Sequence, residues 1–169
     1  NLMPVPLLDL KAQHARIRDK VVSAMMQVVD DQTFILGKPV EDFEKSCAAL
    51  SHTKHAIGCA NGSDALLLAL RALDIGAGDE VITTPFTFFA TAGMTHNSGA
   101  KPVFADIDAD TFSLNPDAAA AAVTSRTKAV IPVDLFGQMS PIERYRVAMK
   151  SIPLIEDAAQ SIGARRSVD

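Results

Sequence analysis

Four short segments hold most of the residues able to do chemistry. Ile155-Glu156-Asp157-Ala158-Ala159-Gln160-Ser161 follows an apolar run and sets an acidic pair, two small residues, an amide and a hydroxyl in a row. In open α/β sheets, ligands sit in the crevice beyond the carboxyl ends of the strands. A carboxylate placed there, such as Asp157, can hold a proton on a buried ring nitrogen. Ala60-Asn61-Gly62-Ser63-Asp64-Ala65-Leu66 stands between an apolar run and a helical pattern. The free N–H groups and dipole of a helix start make a phosphate site; Gly62 lets the backbone approach the anion, and the Ser63 hydroxyl adds a donor. Pro85-Phe86-Thr87-Phe88-Phe89-Ala90-Thr91 offers aromatic faces that can stack on a flat ring. Pro132-Val133-Asp134-Leu135-Phe136-Gly137-Gln138 is a further polar loop after an apolar run.

Taken singly, each segment has a plainer use. Asp157 could cap a helix or pair with an arginine, and Asn61 or Ser63 could be simple N-caps. The three Phe could fill a core, and the Asp134 loop could be a polar turn closing a buried strand. Together they supply an anion cradle, an aromatic lid and a carboxylate with an amide three residues on. A phosphorylated heteroaromatic cofactor needs that set, and pyridoxal 5'-phosphate (PLP) fits it best. Gly76-Ala77-Gly78-Asp79 is a decoy: it lacks the third glycine of a dinucleotide fingerprint and leads into a strand. No Walker-type lysine pattern occurs.

The elements that must position these groups alternate. The spacing of apolar residues predicts helices over 13–30, 39–50, 63–73, 89–97, 116–123 and 142–149. Short apolar runs predict strands at 56–59, 80–83, 102–105, 129–133 and 152–155. Such an order implies an α/β fold, a mostly parallel sheet covered on both faces. Residues 1–10 read as an extended lead-in. The domain reading is an N-terminal arm and helix at 1–30 and a partial cofactor-binding domain at 31–169. The sheet lacks a closing element after Gln160, as expected of a fragment.

Composition narrows the classes. The 169 residues are 48% hydrophobic and 21% charged with a net charge of −4, as in a globular protein about one domain long. There is no basic stripe for nucleic acid and, with no Trp and one Tyr, little for stacking bases. No apolar run reaches the ~20 residues of a membrane helix, and the first ten residues do not resemble a signal peptide. Cys47 and Cys59 lack metal spacing and suit a reducing compartment, with Cys59 packing in a strand. A cytoplasmic protein without a metal is the expectation.

With these residues in place, the chain resembles the N-terminal part of the DegT/StrS family of PLP-dependent sugar aminotransferases. The resemblance rests on Cys59-Ala60-Asn61-Gly62-Ser63-Asp64-Ala65-Leu66, Gly78-Asp79-Glu80-Val81-Ile82-Thr83, Gly99-Ala100-Lys101-Pro102-Val103-Phe104, Thr127-Lys128-Ala129-Val130-Ile131-Pro132-Val133 and Ile155 to Ser161. They run in family order from about residue 6 to residue 164. The resemblance implies a three-layer αβα fold, the large domain of fold-type I PLP enzymes, cut before the Schiff-base lysine and the C-terminal small domain. It implies that Asp157 bonds the pyridine nitrogen, that Gln160 sits near the phenolic oxygen, and that Phe88 stacks on the ring. Asn61 belongs to the matched phosphate-binding motif, and Ser63 with the Gly62 and Asp64 backbone holds the phosphate. It places residues 34–38 near a sugar-nucleotide pocket and a dimer interface, in a homodimer whose sites share residues. The implied reaction is amination of a nucleotide-linked keto sugar by an amino-acid donor, glutamate in this family. The likeness leans towards enzymes acting on the 3-keto position of hexuluronic acids. Relatives in which histidine replaces the lysine are sugar dehydratases, and a silent binding or regulatory protein would keep only the pocket.

Three departures stand out. The family has His where Asp134 stands, and 139–154 is a couple of residues short. The eight lysines present do not match the Schiff-base position, so the 169 residues alone are expected to be inactive.

Overall fold

A computed structural model describes Val5 and residues 7–166. It divides into two compact units, one running to Ala49 with Thr53–Ala56, the other comprising Leu50–His52 and the chain from Ile57 on. The division falls at the last residue of the second helix.

The first unit holds α1 (Leu10–Asp30) and nearly all of α2 (Lys38–Leu50). Asp9 caps α1 by accepting from Ala12 N at 2.9 Å. Neither helix buries a residue, and the apolar stripe of α1, including Ile17, Val21 and Met25, stays in the open. Phe34, Ile35 and Leu36 between the helices are also exposed, with Leu36 at φ +56°.

The second unit carries α3 (Gly62–Ala72), β1 (Glu80–Thr83), α4 (Phe89–Asn97), β2 (Lys101–Phe104), α5 (Pro116–Ala121), β3 (Thr127–Val130) and α6 (Ile142–Met149). The strands are parallel in the order β2-β1-β3. Residues 152–157 extend the sheet beside β3 through the parallel bridges Val130–Leu154 and Val133–Asp157. Alternate strand residues face opposite layers. Val81, Ala129 and Ile131 pack with Leu66, Leu70 and Ala90 of α3 and α4. Ile82 and Val130 pack with Ala119, Tyr145 and Met149 of α5 and α6. This is the expected three-layer αβα sheet, buried on both faces.

At the amino end of β1, Glu80 is 3% exposed yet ionic, bonded by Thr124 Oγ1 (2.6 Å) and Arg126 Nη2 (2.6 Å). These donors, the Thr124 hydroxyl first, hold its carboxyl below the usual carboxylate range. Gly99 makes the turn from α4 into β2 at φ +96°, where a Cβ would lie 3.2 Å from Ala77 N.

Two expected strands differ. The 56–59 segment is no strand: Ile57 is 85% exposed, and Cys59 is exposed rather than packed, its Sγ 3.3 Å from Asn61 O. A strand exists through its place in a hydrogen-bonded sheet, and the described sheet, β2-β1-β3, does not include this run. The 152–155 run pairs only through isolated bridges, because Pro153 has no N–H to give the ladder before the first bridge and Pro132 has none to give between the two.

Candidate functional site

The connection after β1 leads to β2 on one side, and the connection after β3 leads to 152–157 on the other. The carboxyl ends of β1 and β3 therefore flank the switch point, where open α/β sheets form their binding crevice. A cleft of about 400 Å³ lies there. Its wall takes Gly62 and Ser63 from α3, Thr87 and Phe88 from the β1–α4 loop, Asp134 and Leu135 after β3, and Asp157 and Gln160 from the last segment.

One end of the cleft is the start of α3. Asn61 is its N-cap, with Oδ1 accepting from Asp64 N at 2.9 Å and Nδ2 donating to Asp64 Oδ2 at 3.1 Å. The Asp64 amide is thus engaged by the cap. The amides of Gly62 and Ser63 precede any intrahelical acceptor, and a Cβ on Gly62 would meet nothing within 4 Å. Asn61 and Asp64 do not line the cleft; Gly62 and Ser63 do.

At the other end, Asp157 is locked into the sheet by its backbone. Its N–H donates to Pro132 O at 2.9 Å, and its C=O accepts from Asp134 N at 3.0 Å. Its side chain accepts from Thr91 Oγ1 at Oδ2 (2.9 Å) and, at the longer distance of 3.4 Å, from Ala159 N at Oδ1. Gln160 Oε1 accepts from Phe136 N at 2.6 Å. That bond fixes the amide, so Nε2 remains as the donor. The turn carrying Phe136 includes Gly137 at φ +85°, where a Cβ would stand 3.4 Å from Gln160 O. Phe88, the residue before α4, is 74% exposed on the wall of the cleft.

Asp134 is 1% exposed, and its carboxylate is engaged. Oδ1 accepts from Ser140 N and Oδ2 from Ser161 Oγ, both at 2.8 Å. It ties the turn after β3 to the segment carrying Asp157 and Gln160. Partial burial and the neighbouring Asp134 charge push the Glu156 carboxyl above its usual value.

The structure brings Gly62, Ser63, Phe88, Asp157 and Gln160 to one cleft, with Asn61 and Asp64 shaping its helix start. Sequence reasoning missed the tie from Thr91 to Asp157, 66 residues away. Its only trace is the pair of threonines four apart in the aromatic segment. Among the described residues, no group of three His, Cys, Asp or Glu is placed to hold a metal, and no helix is long and apolar enough to cross a membrane.

The start of α3 and the Asp157 carboxylate line one cleft, and related proteins carry the same fold. The chain is 50% identical over 165 residues to a pleiotropic regulatory protein of Geobacillus stearothermophilus, covering 96% of this chain and 44% of that protein. It is 47% identical over 162 residues to UDP-2-acetamido-2-deoxy-3-oxo-D-glucuronate aminotransferase of Pseudomonas aeruginosa, covering 95% and 45%. It superposes on the Bacillus subtilis protein NtdA, solved with bound cofactor PMP, with a TM-score of 0.90 at 32% identity, covering 96% and 38%. The chain thus spans less than half the length of these relatives. The sequence model of the DegT/DnrJ/EryC1/StrS aminotransferase family matches residues 15–167, and the chain belongs to that family.

Proposed function

We propose that this chain is the N-terminal part of a PLP-dependent aminotransferase that aminates a nucleotide-linked keto sugar, with glutamate as amino donor, working as a homodimer. The observation that carries the reading is that Asp157 and the start of α3 line one cleft of about 400 Å³. The residues fit the cofactor's three polar demands: amides and a hydroxyl for the phosphate, a carboxylate for the ring nitrogen, and an amide donor for the phenolic oxygen. When bound, PLP supplies the carbonyl that takes up the amino group and the ring that spreads the negative charge.

The chain's own groups bind and orient. Ser63 Oγ and the Gly62 and Ser63 amides receive the phosphate, favoured by the helix dipole. Asp157 keeps the proton on the ring nitrogen, since an ionised carboxylate beside a pyridinium stabilises the charged form. Gln160, pinned through Oε1, directs Nε2 to the phenolic oxygen. Phe88 covers one face of the ring and keeps water from it. The lysine that binds the carbonyl lies on this reading beyond residue 169.

The test is spectroscopic. Full-length protein purified with PLP should be yellow, and added L-glutamate should move the visible band to shorter wavelength. An unmoved band would overturn the aminotransferase reading and favour the regulatory role that the Geobacillus relative's name suggests for that protein. Release of water instead of amino transfer to the sugar would point to a dehydratase.

A further inference from the structure

Asp157 is held from behind by α4. Thr91 is completely buried, and its Oγ1 donates to Asp157 Oδ2 at 2.9 Å. Thr87, on the wall of the cleft, brings its own Oγ1 to 3.1 Å from Thr91 Oγ1. Threonine is a modest helix former, and an apolar residue of the same shape would fill this interior position. A buried hydroxyl in that place calls for a partner, and the partner is the carboxylate that the cofactor reading makes central.

Proton counting gives the chain a direction. A threonine hydroxyl has one hydrogen, and an ionised carboxylate only accepts. Thr91 therefore spends its hydrogen on Asp157, and Thr87 must supply the hydrogen in its contact with Thr91. Each hydroxyl polarises the next. The order Thr87 to Thr91 to Asp157 follows from Asp157 Oδ2 being the acceptor at the end of the chain. Asp157 Oδ2 is occupied, leaving Oδ1, which among the described residues takes the long 3.4 Å bond from Ala159 N.

We propose that Thr91 is a positioning residue, and that Thr87 and Thr91 form a directional hydroxyl relay that fixes the Asp157 side chain with Oδ1 left for the ring N–H. This rests on the PLP reading above. Removing the relay frees the Asp157 side chain to leave that orientation, so its contact with the ring N–H weakens and the pyridinium form of the ring is less favoured.

The experiment uses full-length protein loaded with PLP labelled with 15N at the ring nitrogen, observed by NMR at one pH. Wild type should give a pyridinium resonance. Thr91→Val should shift it towards neutral pyridine and raise the cofactor dissociation constant about tenfold, as expected for one hydrogen bond to a charged group. Thr91→Ser should restore both. Thr87→Val, at a part-buried loop position, should give a smaller shift in the same direction and covers the case that Thr91→Val does not fold. A pyridinium resonance unmoved in both valine variants would overturn the relay while leaving the PLP reading standing. A wild type with no resonance from bound cofactor would overturn the PLP reading itself.

Discussion

Replacing Asp157 with asparagine keeps the shape of the side chain and removes its charge. The sheet should tolerate the change, because Asp157 joins it through backbone bonds to Pro132 O and Asp134 N. Thr91 Oγ1, now 2.9 Å from Oδ2, can donate equally to an amide oxygen. What disappears is the anionic half of the contact with the ring nitrogen. Hydrogen bonds to charged groups contribute about 1.5–3 kcal/mol, so the PLP dissociation constant should rise roughly 10- to 150-fold. Loss of one preorganised charge-stabilising group costs about 10²–10³ in kcat, and turnover should fall by at least that much. Equilibrium dialysis of PLP, steady-state kinetics on saturated full-length enzyme and a thermal melt of the cofactor-free protein separate the effects. The melt should stay within a few degrees of wild type. A dissociation constant within about threefold of wild type, together with near-normal turnover, would remove Asp157 from the mechanism.

Other perturbations read other parts of the cleft. Ser63→Ala should weaken PLP retention by about tenfold without moving the melt, whereas Asn61→Ala should also cost about 1 kcal/mol of stability as a lost cap; equal loss of retention and stability in both would make the motif a cap only. Gly62→Ala should leave folding intact, since the new methyl meets nothing within 4 Å, yet crowd the phosphate and lower PLP affinity; unchanged affinity in calorimetry would place the anion elsewhere. Glu80 has a lowered folded pKa, so its stabilisation is present above about pH 4.5 and is lost as pH falls through the folded value. Denaturant titrations of Glu80→Gln should therefore show lower stability at neutral pH and a flatter acid limb, and an unchanged acid limb would contradict the assignment.

Much of the second unit was legible because its helices and strands carry their own signals. The helices at 89–97 and 142–149 and the strand at 80–83 lie where the spacing puts them, since periodicity within an element needs no distant partner. The 56–59 run misled because apolar character alone does not name the strand that must pair with it. Pro132 and Pro153 carried a warning that the pairing of the last strand would be broken. The cleft was legible as a set of strand-end motifs whose convergence follows from the parallel order β2-β1-β3. Its supports were not. Thr91 reaches Asp157 across 66 residues, and Asp134 proves to be a buried brace held by Ser140 and Ser161. Both depend on tertiary contacts that no local pattern reports.

The most direct test of the account is a crystal structure of the full-length protein with PLP bound. The phosphate should lie within hydrogen-bond distance of the Gly62 and Ser63 amides, with the ring nitrogen about 3 Å from an Asp157 oxygen. A cofactor bound away from the start of α3, or seated there with its ring nitrogen facing something other than Asp157, would contradict it.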